Sequence, residues 1–226
     1  MSSADVEAPE EADEVAPDER RDAVVASFAA ALGDGLVESF VKPGIDVWLR
    51  IAPDSWVAAG EVARNSLGYR YFDFLSVIDW LPSPFGRDMD AEQDWAVHGR
   101  DERDPTPIER GYAGGETRLQ VFARVYSLYE HMGVTLKVDL ADDDPSIDSW
   151  VPVYAGANWH EREAWEMFGV SFEGHPGLRH LYLPGDFEGH PLRKDFPLLA
   201  RRVKPWPGIV DVEGMPGEAA AEEDDS

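Results

Sequence analysis

The residues best equipped for chemistry crowd into Asn158 to Lys204, which holds four of the six histidines and seven acidic against seven basic side chains. His160, Glu161, Glu163 and Glu166 fall at spacings that share a helix face, so they could ligate a metal. The order is not His-Glu-x-x-His, because Ala164 stands four residues after His160. Asn158 followed by Glu161 reads more simply as an N-cap with its capping box, opening a helix that Gly169 ends. His175, His180 and His190 could form a three-histidine site. However, Phe172-Glu173-Gly174-His175-Pro176 is echoed by Phe187-Glu188-Gly189-His190-Pro191. Two copies of one motif suggest two similar turns, each with its histidine bonded to nearby backbone. A metal-dependent hydrolase built on His160, His175, His190 and nearby glutamates is therefore the second reading.

The first reading is a docking surface. Arg193, Lys194, Arg201, Arg202 and Lys204 stand against Asp195 in a chain of net charge -25. They alternate with Phe196, Leu198, Leu199 and Trp206, and Arg with aromatic anchors carries most of the energy of protein interfaces. Prolines 176, 184, 191, 197, 205 and 207 punctuate the stretch too often for helix or internal strand. Beyond Phe168 the chain is thus expected as a long irregular arm. Its apolar groups, Phe172 through Trp206, would need cover from another protein.

The acidic excess lies mostly outside the candidate domain. Residues 1–22 carry nine carboxylates against two arginines, and residues 211–226 carry seven carboxylates and no base. Such ends cannot bury enough surface to offset the entropy of ordering, so 1–20 and 211–226 read as disordered tails. Residues 82–116, rich in Pro, Gly, Asp and Glu, read as a mobile acidic insertion. An acidic surface argues against nucleic acid as a partner. No run is long and apolar enough to span a membrane, and the N-terminus has no signal-peptide pattern. A soluble, cytoplasmic chain is the expectation, with any membrane contact made through a partner. With no cysteine, thiolate zinc and cysteine-ligated iron-sulfur sites are excluded from this chain.

The elements that must position the arm occupy residues 21–157. Arg21 to Leu32 reads as a helix with Val24, Phe28 and Ala31 on one face. Leu36 to Val41 and the alternating Ile45, Val47, Leu49 and Ile51 make a hairpin. Pro53 opens a second helix with Trp56, Ala59, Gly60, Ala63 and Leu67 on one stripe, and Tyr69 to Trp80 is the next strand, completing a crossover unit. Arg118 to Tyr129 and Val134 to Leu140 form another hairpin, turning at Gly133, with one buried and one wet face. Asp144 to Tyr154 holds a short turn or helix. The fold class is α+β: a mixed, mainly antiparallel sheet of about five strands with helices on one face, then the arm over 158–210.

Glu161-Arg162-Glu163, Trp165-Glu166-Met167-Phe168-Gly169-Val170, Gly174-His175-Pro176 with Leu178-Arg179, and Gly189-His190-Pro191-Leu192-Arg193-Lys194-Asp195-Phe196-Pro197 together resemble the signature of the C subunit of NADH-quinone oxidoreductase, the bacterial respiratory complex I. Glu166 stands where an aspartate is commoner and His180 where a second arginine is usual. The resemblance implies a non-catalytic peripheral-arm subunit on the cytoplasmic side of the membrane, without a cofactor of its own. FMN and iron-sulfur clusters would lie in partner subunits. It implies packing against the quinone-site subunit and near the subunit of the terminal iron-sulfur cluster. The docking residues are then expected to be Glu161, Arg162, Glu163, His175, Arg179, His190, Arg193, Lys194 and Asp195 within these motifs, with Arg201 and Arg202 added from the charge run. The tails and the acidic insertion have no counterpart in it. A third reading is an acidic scaffold working through those tails.

Overall fold

Period-two apolar spacing in the upstream half builds one sheet. A computed structural model describes residues 18–82 and 110–196. The strands are β1 (Leu36–Phe40), β2 (Val47–Ile51), β3 (Tyr71–Asp79), β4 (Leu119–Ser127) and β5 (Met132–Asp139), arranged β1-β2-β5-β4-β3. Neighbours are antiparallel except β2 and β5, which run parallel. The expected α+β class and mainly antiparallel sheet hold. The crossover unit exists in a looser form than expected: β2 and β3 point the same way, but β5 and β4 lie between them.

One face of the sheet is the core. Leu49, Leu136, Ala123 and Leu75 form a row across four strands, and each is buried. Three helices cover this face: α1 (Glu19–Leu32), α2 (Trp56–Glu61) and α3 (Ala157–Phe168). They bring Val24 and Phe28, Trp56 and Ala59, and Ala157 and Ala164 into the same apolar cluster. Fully burying one such large apolar side chain contributes roughly 1.5–3 kcal/mol. Helix α1 starts earlier than expected, because the Asp18 carboxylate accepts from the Arg21 amide and caps it; Ala31 is exposed. Helix α2 continues as a wide π turn over Val62–Ser66. Its Gly60 lies under Trp150, where an added Cβ would stand 2.9 Å from the indole. Trp150 in turn stacks on Trp56 with ring centroids 4.2 Å apart and donates from Nε1 to the Trp56 carbonyl.

The opposite face is not wet, which corrects the expectation for the second hairpin. Strand β5 is central, and Thr135 and Lys137 are as buried as their apolar neighbours. Lys137 Nζ donates to the carbonyls of Arg110, Tyr112 and Gly114 at 2.8–2.9 Å. Tyr112 stacks on Phe40. Residues 110–116 therefore form an ordered strap across this face, although the sequence assigns them to a mobile insertion. Gly133 pairs with Tyr126 inside β5 and does not lie in the turn.

Two short strands were not expected. β6 (Ser146–Asp148) and β7 (Ser171–Glu173) pair in parallel because Ile147 and Phe172 are both buried side by side at that register. Residues 83–109 of the insertion, residues 1–17 of the first tail, the whole of the second tail, and Leu198, Leu199, Arg201, Arg202, Lys204 and Trp206 lie outside the described residues. Among the described residues no helix is long and apolar enough to cross a membrane.

Candidate docking site on the C-terminal arm

Helix α3 organises the start of the arm through two buried carboxylates. The expected capping box is absent: the N-cap position is Gly156, with no side-chain bond. Glu161 points inward, where its carboxyl meets the Ser149 hydroxyl and the Trp150 amide, each at 2.6 Å. Burial raises its pKa to about 7, against the lowering effect of those two bonds. Glu161 thus ties the 149–151 turn to α3 and is not available to a partner.

Glu166 holds the arm itself. Its carboxylate accepts the amides of Leu181, Tyr182 and Leu183 and faces His180 Nδ1 at 3.0 Å. Burial pushes its pKa up, but the bonds from Leu181, Leu183, Tyr182 and His180 outweigh it, so the group is held below the ordinary glutamate value. A carboxylate ringed by backbone amides is fixed in its charged form.

The second Gly-His-Pro turn caps the C-terminus of α3. The last carbonyls of a helix have no partner within it. Here His190 Nδ1 meets the Glu166 carbonyl, the Leu192 amide donates to Met167, and Arg193 Nε donates to Phe168. A cation at this end also complements the helix dipole. Gly169 makes the approach possible: it is left-handed at φ 72°, and an added Cβ would fall 2.5 Å from the His190 ring. The first copy of the turn does a different job, since His175 Nε2 meets the Asn158 carbonyl and its Nδ1 accepts the Gly177 amide.

Beyond the cap the arm returns to the sheet. Arg118 bridges Asp79 and Asp195, and Asp79 also accepts the Lys194 amide at 2.8 Å. Asp79 is held below the usual aspartate pKa because Arg118, Lys194 and Leu81 outweigh its burial.

The expected docking residues divide accordingly. Glu161 and Arg162 are buried, and Arg162 donates to the Arg179 and His180 carbonyls. Glu163 accepts from the Tyr182 hydroxyl at 2.6 Å. His175, His190, Arg193 and Asp195 are engaged in holding the arm against its own domain, whereas Arg179 and Lys194 are exposed. Arg201 and Arg202 lie outside the described residues. The expectation that the whole apolar set needs foreign cover is corrected for Phe172, which is buried, and Leu178, which packs on the core. Tyr182, Phe187 and Leu192 are exposed. Sequence reasoning passed over Asp79 and Arg118, counted Tyr182 only among the apolar groups of the arm, and weighed Glu166 only as a metal ligand and as a departure from a pattern. The usable signal was a carboxylate near a helix end, followed by chain that has no pairing of its own.

The histidines are not gathered for metal chemistry. His160 Nδ1 faces the Leu75 carbonyl, and His175 and His190 face carbonyls of α3. Among the described residues no group of three or more His, Asp and Glu side chains could hold a metal ion.

Residues 49–202 match the family model described as respiratory-chain NADH dehydrogenase, 30 Kd subunit. The chain belongs to this family. Its match runs from β2 through the arm. Among curated relatives, the NADH-quinone oxidoreductase C/D subunit of Photorhabdus laumondii is 37% identical over 65% of this chain and 23% of its own length. The same-named protein of Klebsiella pneumoniae is 38% identical over 59% of this chain and 20% of its own length. The chain thus spans about a quarter of the length of the curated relatives it matches, or less. A chain from the membrane-bound sulfane sulfur reductase, an archaeal respiratory membrane complex, shares the fold with a TM-score of 0.54 at 18% identity, covering 81% of this chain and 88% of that one.

Proposed function

We propose that this member of the 30 Kd subunit family is a non-catalytic peripheral-arm subunit of a proton-pumping NADH-quinone oxidoreductase, on the cytoplasmic side of the membrane. In this reading NADH electrons pass through FMN and iron-sulfur clusters to quinone in partner subunits. The chain packs by its arm against the quinone-site subunit, near the subunit of the terminal cluster. The observation that carries the reading is the family match over 49–202, which includes α3 and every described residue of the arm. The fused C/D relatives support it, since a stretch like this chain there shares one polypeptide with a much longer remainder. The absence of cysteine in this sequence is consistent with clusters held by partner subunits.

The test is affinity purification of the tagged chain from gently solubilised membranes. Flavin absorbance, iron-sulfur signals and NADH-quinone activity should co-purify with it. Recovery of the tagged chain without flavin or iron would overturn the reading.

A further inference from the structure

Where α3 meets the arm, Trp159, His160, Glu163, Leu181 and Tyr182 line a shallow cleft of about 150 Å³. Its two largest rings are the least covered aromatics of this region: Trp159 is 68% and Tyr182 64% exposed. Two neighbouring aromatic rings exposed to water offer rigid contact area to another molecule.

The polar groups of the cleft decide its chemistry. Glu163 accepts the Tyr182 hydroxyl through one oxygen, which leaves its other oxygen without a hydrogen bond among the described residues. His160 Nδ1 lies 3.2 Å from the Leu75 carbonyl; a carbonyl only accepts, so Nδ1 carries the hydrogen and Nε2 is an acceptor in the neutral ring. The Trp159 and Tyr182 rings present electron-rich faces, which attract cations. Trp159 already shows this affinity, because the Arg162 guanidinium carbon lies 5.9 Å from its ring centre. That arginine is buried and bonded to the Arg179 and His180 carbonyls, so it is fixed beside Trp159 and does not line the cleft. A carboxylate flanked by two rings, with one oxygen left free among the described residues, is complementary to a positive, planar donor group.

We propose that this cleft receives a basic side chain, arginine before lysine, from the protein partner of the arm. The proposal deepens the docking reading above and rests on it for the partner's existence, but not for the chemistry of the cleft. A guanidinium would stack on Trp159 and donate to Glu163, a planar fit that an ammonium cannot reproduce.

Two measurements test it. The full-length chain, labelled with nitrogen-15 in its tryptophans, is titrated with N-ethylguanidinium chloride against equal sodium chloride, and the Trp159 indole signal is assigned with Trp159→Phe. A saturable shift is expected, weakened about threefold or more in Glu163→Gln through loss of the carboxylate. A shift no larger than with sodium chloride, or one unchanged in Glu163→Gln, overturns the proposal. In membranes, Glu163→Arg should lower recovery of the tagged chain with its redox partners about tenfold, since like charges oppose docking, while its thermal melt stays near wild type. If Glu163→Arg melts far below wild type, Glu163→Gln is compared instead, and recovery equal to wild type overturns the proposal, as it does for a folded Glu163→Arg. If even the wild-type chain recovers no flavin or iron-sulfur partner, the subunit reading falls and the titration alone decides the cleft.

Discussion

Replacing Glu166 by Gln should release the arm while leaving the sheet intact. The carboxylate accepts Leu183 at 2.6 Å, Leu181 at 2.8 Å and Tyr182 at 3.1 Å. Hydrogen bonds to a charged acceptor are worth roughly 1.5–3 kcal/mol each. Gln keeps one acceptor oxygen but turns an NH2 group toward backbone donors, so the loss should amount to one or two such bonds, about 3 kcal/mol. Hydrogen exchange at Leu181, Tyr182 and Leu183 should then accelerate on the order of a hundredfold, since 1.4 kcal/mol is a factor of ten. Amides of β4 and β5 should exchange as in wild type. The acid dependence gives a second readout. Glu166 titrates below the ordinary glutamate value in the folded chain, so its contribution is present above about pH 4.5 and is lost as pH falls through the folded pKa. Wild-type arm amides should lose protection in that acid range, and Glu166→Gln should flatten the effect. Unchanged protection of 181–183 in the variant would refute the assignment of Glu166 as the organiser of the arm.

Glu161 has the opposite sign: its pKa is raised to about 7, so the stability it contributes is full below the unfolded value near 4.5 and is lost as pH rises through about 7. Urea unfolding of Glu161→Gln should lack that decline, which is worth about 3 kcal/mol at 1.36 kcal/mol per pKa unit, and equal pH profiles would contradict it. Lys137→Met should free the strap, with trypsin cutting after Arg110 about tenfold faster because three carbonyls lose their common donor. Burial lowers the Lys137 pKa to about 8, so wild-type stability should also rise between roughly pH 8 and 10.4, the unfolded lysine value, a rise missing from the variant. Gly60→Ala should cost about 1–3 kcal/mol by overpacking against Trp150, seen as a lower thermal midpoint; no change would mean that the Trp56–Trp150 stack yields freely.

Periodicity made the core face legible: Val47, Leu49, Ile51, Val134, Leu136 and Val138 alternate as buried strands should, and all are in the core. The second face was misread because Lys137 and Thr135 look solvent-facing on their own strand. Lys137 is covered by residues 110–116, whose carbonyls it bonds, and the Thr135 hydroxyl reaches Asp46 of the β1–β2 turn; no local pattern encodes either contact. The arm failed similarly. Among the described residues its prolines stand outside helix as expected, but its backbone amides find the Glu166 carboxylate and its cap groups find the α3 carbonyls, partners that a search for regular pairing does not consider. The histidine motif was legible as two turns with backbone-bonded imidazoles. That one of them would cap α3 depends on Gly169 bringing His190 within reach.

Amine cross-linking of the purified complex decides whether the arm face docks on the proposed quinone-site partner. The described residues contain three lysines: Lys42 in the turn of the β1–β2 hairpin and Lys194 on the arm are exposed, whereas Lys137 is buried. An amine-reactive cross-linker followed by mass spectrometry should join Lys194 to the partner that matches the remainder of the C/D relatives, with few links from Lys42. Links to that partner from Lys42, with Lys194 joined only to its own chain, would contradict the account.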